Sequence, residues 1–247
     1  FMYAPLPEDT LIVVRPPKIW EILGIVKPGT LWTLRRAVYG LRIAPRAWGT
    51  YRDDKLQQVE WKADNVDYIL KQCTSDAQVW RLRRKGDDET LALLEVYVDD
   101  FMLEAPKGAM RTNFIKELEK IWKMSTVVSL TYETPVTFLG LEIELDKRGD
   151  MHIHQRTFTR QLLTKHGIDR NSKPMTAIQM TSPEPTDKAP NPKQLKELQG
   201  YAGEFNWLAT RTRSDLSYYT SIIASTATKY ADWTLPVSYT HLRAHET

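Results

Sequence analysis

The strongest constraint on this chain is an apolar run of strand length that ends in two adjacent aspartates. Residues 91–100 read LALLEVYVDD, so the run from Leu91 to Val98 leads directly into Asp99 and Asp100. An apolar run of about four to eight residues predicts a buried β-strand. Two carboxylates at the end of such a strand repel each other and lose hydration unless a cation compensates them. An ordinary strand that enters an acidic turn remains the alternative interpretation.

Magnesium is the cation that suits this carboxylate pair best. It binds one or two protein carboxylates together with substrate phosphates. The aspartate pairs at residues 53–54 and 87–88 fall on a predicted polar helix face and in a glycine-containing turn, where carboxylates stay hydrated. We therefore take Asp99 and Asp100 as the candidate catalytic and metal-binding residues.

Length and composition exclude several classes of protein. The 247 residues hold a single cysteine, Cys73, so neither an intramolecular disulfide nor a multi-cysteine zinc site can form. No apolar stretch approaches the roughly 18 to 20 residues that cross a bilayer, and the first twenty residues lack a signal-peptide core. We therefore expect no membrane partner and a cytoplasmic location without a targeting signal.

The distribution of positive charge is more informative than the net charge of +3. Between residues 27 and 52 basic side chains occur without a single acid, and aromatic residues lie among them. The basic residues are Lys27, Arg35, Arg36, Arg42, Arg46 and Arg52, and the aromatic ones are Trp32, Tyr39, Trp48 and Tyr51. Basic groups neutralise phosphates and aromatic rings stack on bases, so the segment predicts a nucleic-acid surface. A solvated basic face with its aromatic rings in the core is the alternative.

The pattern along the chain predicts strands, helices and a linker. Alternation in residues 141–145 and 151–154 predicts a β-hairpin with His152 and His154 on its hydrated face. Apolar stripes at helical spacing predict helices after Pro45, around residues 110–122 and 158–167, and beyond residue 194. Ser214 is the predicted cap of the last helix. Five prolines between residues 169 and 193 predict an extended connector.

Several motifs, taken together and in order, resemble the reverse transcriptase of copia-type retrotransposons. The matching segments are FMYAPLP at residues 1–7, LRRAVYGLRIAPRAW at 34–48, YVDD at 97–100, FLGLEI at 138–143, QRTFTRQLLTKHG at 155–167 and GYAGEFNWLATRTRSDL at 200–216. The resemblance runs from about residue 1 to 230. The YGL and APRAW block followed about fifty residues later by YVDD is its most specific part.

This resemblance implies an α+β fold with a polymerase palm and fingers and a helical thumb or connection-like C-terminal part. The expected domains are residues 1–168 for fingers, palm and the start of the thumb, 169–193 for the linker, and 194–235 for the helical segment. Residues 236–247 (PVSYTHLRAHET) resemble translated sequencing-adapter sequence, so we expect them to be a non-native tail.

The resemblance also implies the chemistry. Such enzymes use two Mg²⁺ ions, with Mn²⁺ as a substitute, held by three aspartates to transfer a nucleotide from a dNTP to a primer 3'-hydroxyl. Asp99 and Asp100 match two of the three aspartates, and the third is expected upstream of Phe1. Tyr39, Gly40 and Arg42 match the block that contacts template and incoming nucleotide.

Other positions follow from the same resemblance. Tyr97 is expected beside the primer terminus, and Phe138, Leu139, Gly140 and Leu141 match the primer grip. Within the basic segment, and on the ground of its charge, Arg35, Arg36 and Arg46 are the residues that we expect to contact the nucleic-acid backbone. Where the family commonly has glutamine, this chain has Ile43, which speaks against a hydrogen-bonding role there.

The implied partners are an RNA or DNA template, a primer strand and dNTP. In an intact element the other Pol polyprotein domains, integrase upstream and ribonuclease H downstream, would also be partners, inside a virus-like particle. The alternative hypothesis is a catalytically inactive remnant of a retroelement that acts at most as a nucleic-acid binding module.

Overall fold

The structure is a computed structural model that describes residues 2–167, 191–230 and 234. The chain divides into two compact units, Phe1–Val127 and Val128–Thr247, each described below by itself. Residues 169–190 of the predicted linker and the predicted tail at 236–247 lie outside the described residues. The predicted domain boundaries therefore stay predictions.

The first unit is built around an antiparallel sheet of β3 to β7 in sequential order. Its elements are β1 (Val13–Val14), α1 (Lys18–Ile22), β2 (Trp32–Thr33), α2 (Ala44–Gln57), β3 (Glu60–Ala63), β4 (Val66–Gln72), β5 (Val79–Arg84), β6 (Ala92–Tyr97), β7 (Asp100–Glu104) and α3 (Ala109–Ile121). Strand β6 confirms the strand predicted from the apolar run, and β1 pairs with β2 as a separate two-stranded ribbon.

One face of the five-stranded sheet is buried, and the other is open. On the buried face lie alternate residues of the strands, including Trp80, Leu82, Leu94 and Val96. Helices α2 and α3 supply the apolar side chains that cover them, as the predicted helical stripes require. Because side chains alternate along a strand, the intervening residues, Tyr97 and Asp100 among them, lie on the open face.

The second unit combines a small antiparallel sheet with helices. Its elements are β8 (Val136–Phe138), β9 (Leu141–Leu145), β10 (Met151–His154), α4 (Arg156–Lys165), α5 (Pro192–Ala209), a short 3-10 helix (Ser214–Leu216) and α6 (Ser217–Thr226). Strand β9 is central, with β8 and β10 antiparallel on either side. The helices bury an apolar core formed by Leu162, Leu198, Tyr201, Phe205, Leu208, Leu216 and Ile223. Helices and antiparallel strands in both units agree with the predicted α+β class.

Two details of the second unit differ from the sequence predictions. Ser214 does not cap a helix, because it begins the 3-10 turn that precedes α6, and α6 has no side-chain cap. The β9–β10 hairpin forms as predicted, but the burial of its side chains differs from the prediction. Met151 and Ile153 are 59% and 52% exposed, whereas His154 lies partly buried. Strand β10 is an edge strand, and the apolar core does not extend over it.

Candidate active site

The two aspartates lie on a tight turn, residues 97–100, which we call the carboxylate turn. Tyr97 of β6 pairs directly with Asp100 of β7, so Val98 and Asp99 alone connect the strands. Val98 has a φ of 52°, in the left-handed region that β-branched residues rarely adopt. Such a conformation costs on the order of 1–3 kcal/mol and persists only where the surroundings enforce it.

A tryptophan of α2 is one of the groups that hold this turn. The indole Nε1 of Trp48 donates a hydrogen bond of 2.7 Å to the carbonyl oxygen of Val98. Trp48 is buried, and its ring packs against Trp122 with centroids 6.1 Å apart. The sequence placed Trp48 in an apolar helical stripe and among the aromatic residues that could stack on bases, and its burial contradicts the stacking role. The hydrogen bond to Val98 was not predicted, although a buried indole N–H requires an acceptor and this requirement could have indicated such a bond.

Tyr39 supplies the second contact to the carboxylate turn. Its hydroxyl donates a hydrogen bond of 2.5 Å to Oδ2 of Asp99, across 60 residues of sequence. This bond, followed by desolvation and the negative charge of Asp99, raises the pKa of the Tyr39 phenol. The phenol therefore stays protonated as a donor. The structure thus brings together two residues that the sequence predicted for one site.

Asp100 and Tyr97 complete the carboxylate turn on the open face of the sheet. Directly paired residues of antiparallel strands point to the same face, so the Tyr97 ring and the Asp100 carboxylate are neighbours. Tyr97, Val98, Asp99 and Asp100 are all exposed. A primer end or a nucleotide could therefore reach the two carboxylates without a rearrangement of the sheet.

The donor set fits a divalent cation in part. Two exposed carboxylates supply the protein share of a Mg²⁺ site whose other ligands are substrate phosphates and water. The described residues contain no group of three or more His, Cys, Asp or Glu side chains that could hold a metal ion. Asp99 and Asp100 can therefore form a partial site but not the three-carboxylate site that the family resemblance implies.

The basic segment is only partly available to nucleic acid. Lys27, Arg35, Arg36, Arg42 and Arg46 are exposed, and none has an ion-pair partner within the part of the chain that the structure describes. Arg52 differs: it is 6% exposed, and its guanidinium bonds Asp53 at 2.7 Å. The prediction that Arg52 joins a nucleic-acid surface is therefore wrong, because its guanidinium is buried and forms an ion pair with Asp53.

The residues around this segment follow the same division. Trp32 and Tyr39 are exposed, although Trp32 packs edge-on against Trp20 and Tyr39 bonds Asp99, whereas Trp48 is buried. Ile43 packs against the core and precedes α2, as expected for a position without a hydrogen-bonding role. Gly40 and Arg42 follow Tyr39 in an exposed turn, but within the described residues no hydrogen bond or ion pair joins either of them to Asp99.

The predicted primer grip forms a second tight turn, residues 138–141, which we call the glycine turn. It lies in the second unit, where Phe138 pairs with Leu141 and Leu139 and Gly140 connect β8 to β9. Both connecting residues have positive φ, 52° and 76°. Positive φ at both positions is typical of a type I' turn, which matches the twist of paired strands.

The other aspartate pairs behave differently from Asp99 and Asp100. Asp87 lies in a polar turn and pairs with the exposed Arg84. Asp53 accepts bonds from Arg52 and from Gln72, so its predicted role as a merely solvated carboxylate is wrong. Asp54 is exposed on α2. Asp54 is consequently the better control for substitutions at the carboxylate turn.

Known proteins share sequence with most of this chain. The family described as Reverse transcriptase (RNA-dependent DNA polymerase) matches residues 1–180. The Retrovirus-related Pol polyprotein from transposon RE2 of Arabidopsis thaliana is 29% identical over 217 residues, which cover 85% of this chain and 13% of that protein. The corresponding polyprotein from transposon RE1 is 28% identical over 228 residues, covering 88% of this chain and 13% of the polyprotein.

A yeast protein is also similar. The putative transposon Ty5-1 protein of Saccharomyces cerevisiae is 23% identical over 218 residues, which cover 88% of this chain and 64% of that protein. The chain thus spans a small part of the two plant polyproteins and less than two thirds of the yeast protein. No solved structure matches the chain. Among the described helices, none combines the length and apolar character needed to cross a membrane.

Proposed function

The chain belongs to the reverse transcriptase (RNA-dependent DNA polymerase) family, and from this premise we propose that it transfers a nucleotide from a dNTP to a primer 3'-hydroxyl at Asp99 and Asp100. Residues 1–168 would supply the fingers, the palm and the start of the thumb, and residues 194–235 the helical thumb or connection-like part. The order of motifs and the transposon relatives favour a copia-type element.

The carboxylate turn is the observation that carries this proposal. A strained Val98 and two contacts from distant residues, Trp48 to the Val98 carbonyl and Tyr39 to Asp99, hold the turn that carries both carboxylates. A two-residue hairpin favours positive φ at its first connecting residue, but the chain places a β-branched valine there and holds its carbonyl from α2. Strain of this kind concentrates at functional sites.

The residues of the chain divide the work of the reaction. Asp99 and Asp100 would bind magnesium, which when bound lowers the pKa of the attacking hydroxyl and stabilises the leaving pyrophosphate. Tyr39 orients the Asp99 carboxylate through its hydrogen bond, and Trp48 holds the backbone that carries it. Tyr97, beside Asp100, would pack against the primer terminus. Reaction then depends on positioning, because phosphoryl transfer requires little covalent chemistry from the protein.

Nucleic acid would be held by groups on both units. The exposed Arg35, Arg36, Arg42 and Arg46 would neutralise backbone phosphates, with Gly40 at the nucleotide side of the same segment. The glycine turn would grip the primer strand, as the resemblance of Phe138–Leu141 implies. The substrates would be an RNA or DNA template with its primer, and Mn²⁺ could replace Mg²⁺.

The relatives suggest the wider context. Two of them are named Pol polyproteins, so we propose that integrase and ribonuclease H domains accompany this chain in the intact element and that it acts in a cytoplasmic particle. The second candidate function is an inactive, nucleic-acid binding remnant. It is favoured by the lack of a three-carboxylate group among the described residues. We therefore expect primer extension by the 247 residues alone to be absent or orders of magnitude below that of a homologue with the third aspartate.

Primer extension by an N-terminally extended chain tests the proposal. The extension takes an upstream segment of a relative that supplies the third aspartate implied by the resemblance. Asp99→Asn and Asp100→Asn should each reduce nucleotide incorporation by about a hundredfold or more, since each removes a ligand that acts in the transition state. Neither should lower the melting temperature without metal, because a like-charge pair is relieved.

Asp54→Asn is the matched control and should change neither incorporation nor melting temperature. Incorporation that survives Asp99→Asn would refute the assignment of the site. An extended chain that binds a primer–template duplex but incorporates no nucleotide would favour the inactive remnant.

A further inference from the structure

The glycine turn is in contact with a tryptophan of α5. A Cβ atom added to Gly140 would lie 3.0 Å from Cζ2 of Trp207, so the indole occupies the space that any other residue would need. Trp207 is half-buried, and its ring packs against the glycine turn at Gly140. The end of α5 and the glycine turn therefore form one surface within the second unit.

The end of α5 is itself tightly fixed. The backbone N–H groups of Arg211, Thr212 and Arg213 all donate to the carbonyl oxygen of Leu208, at 3.2, 3.0 and 2.9 Å. The Thr212 hydroxyl also donates to Oε1 of the buried Gln155 at 2.8 Å. The backbone that carries Arg211 is consequently held in place before any ligand arrives, which lowers the entropic cost of binding.

Arg211 occupies this fixed position with its charge free. Its guanidinium lies over the Trp207 ring, 4.9 Å from the centroid, in a cation–π contact. Arg211 is exposed, and within the described residues it has no acidic partner. Arg213, two residues further on, differs because Asp215 binds it at 2.7 Å. One arginine of this helix end is neutralised and the other is presented next to the glycine turn.

We propose that Arg211 binds a backbone phosphate of the primer strand that the glycine turn holds. A planar guanidinium donates to phosphate oxygens with favourable geometry, and the stacked indole keeps it in one orientation. This inference rests on the proposed function, because it takes the glycine turn to be the primer grip. The competing role for Arg211 is to complement the negative end of the α5 dipole, which would contribute to stability but not to binding.

Equilibrium binding of a DNA primer–template hairpin with a recessed 3' end, measured at several salt concentrations, separates these roles. Each phosphate contact contributes about 0.9 to the slope of the logarithm of affinity against the logarithm of salt concentration. Arg211→Gln should therefore reduce the slope by about that amount, and Arg211→Lys should retain most of it because the charge is kept.

Arg148→Gln is the matched control. Arg148 lies in the β9–β10 turn, at the opposite end of β9 from Gly140, and that strand spans about 16 Å at roughly 3.3 Å per residue. Its substitution should leave the slope unchanged. A slope for Arg211→Gln equal to that of the unmodified chain, with or without a lower melting temperature, would overturn the inference and leave the proposed function intact. Failure of the unmodified chain to bind the hairpin would overturn both.

Discussion

The carboxylate turn and the glycine turn have the same two-residue connection between strands, but different contacts stabilise them. Each joins two antiparallel strands through two residues, and in each the first connecting residue, Val98 or Leu139, has a φ of 52°. The carboxylate turn contains no glycine and is held from outside by hydrogen bonds from Trp48 and Tyr39. The glycine turn is instead covered by an aromatic ring that only a glycine admits.

The difference shows what each turn is built to present. External hydrogen bonds leave the side chains of the carboxylate turn exposed, which suits ligands that must meet a cation and a nucleotide. In the glycine turn, Trp207 packs against Gly140, which has no side chain. The backbone of this turn is therefore the part that a partner can approach. We therefore expect a glycine substitution in the carboxylate turn and the loss of glycine from the glycine turn to affect stability by different amounts.

Glycine exchange should give the largest difference between the turns. Gly140→Ala should lower the free energy of unfolding by about 1–2 kcal/mol, because a residue with a Cβ disfavours the left-handed conformation. The approach of that Cβ to Trp207 should add a further loss of stability. Val98→Gly should change the unfolding free energy little, since relief of strain offsets the added chain entropy. Urea denaturation measures both.

Gly149→Ala isolates the backbone part of that effect. Gly149 also has positive φ, 90°, but no heavy atom lies within 4 Å of the added Cβ. An equal loss for Gly140→Ala and Gly149→Ala would show that the Trp207 contact is unimportant to the glycine turn.

Loss of the indole donor should loosen the carboxylate turn. Trp48→Phe keeps most of the apolar volume but removes the bond to the Val98 carbonyl, which should cost about 1 kcal/mol. Trp61→Phe removes a comparable bond, 3.0 Å from Nε1 to the Met110 carbonyl, elsewhere in the same unit. Both should destabilise similarly, but only Trp48→Phe should accelerate amide hydrogen exchange at Val98 and Asp99. Equal exchange in the two variants would remove Trp48 from the site.

Removal of the Tyr39 hydroxyl should alter metal binding more than stability. Tyr39 is exposed, so Tyr39→Phe should change the free energy of unfolding by less than about 0.5 kcal/mol. The substitution removes the hydroxyl that donates to Oδ2 of Asp99, and we expect Mn²⁺ affinity to increase by about two- to tenfold, the equivalent of one lost hydrogen bond. Tyr3→Phe is the control, and an unchanged Mn²⁺ affinity in calorimetry would show that the bond does not compete with metal.

The smallest effect is a pH dependence confined to the second unit. Burial would raise the pKa of Glu142, but bonds from the Thr157 N–H and hydroxyl and the charges of His154 and Arg156 outweigh it, so the pKa is lowered. A lowered pKa contributes stability above the unfolded value of about 4.3 that is lost as pH falls through the folded value. The Thr157 amide resonance should titrate with a midpoint below about 4.3. Glu142→Gln should abolish this transition, and a midpoint above that value would contradict the account.

The sequence predicted the elements of the first unit because its signals are local. The apolar run identifies β6, and helical spacing identifies α2 and α3, since both patterns reflect burial of one face. Recognition of the YVDD motif placed Asp99 and Asp100 in a candidate site. The bonds from Tyr39 and Trp48 join residues about fifty to sixty apart, and no local pattern encodes such a pairing.

The second unit was harder to predict for a physical reason. The alternation in β10 does not match burial, because Met151 and Ile153 lie at a sheet edge that the core does not reach. Ser214 has the residue type of a cap, but a 3-10 turn precedes α6 and takes that place. The Gly140–Trp207 contact depends on how α5 packs on the β8–β9 hairpin, which apolar periodicity alone does not determine.

Iron-mediated cleavage is the most direct test of the central claim that Asp99 and Asp100 bind the catalytic cation. Fe²⁺ replaces Mg²⁺ in the presence of a primer–template hairpin and dNTP, and peroxide with ascorbate then generates radicals that cut the backbone next to the bound ion. The account predicts cleavage close to residues 97–101, abolished in the Asp99→Asn, Asp100→Asn double variant and retained in Asp54→Asn. Cleavage at another position, or cleavage near the carboxylate turn that survives the double substitution, would contradict it.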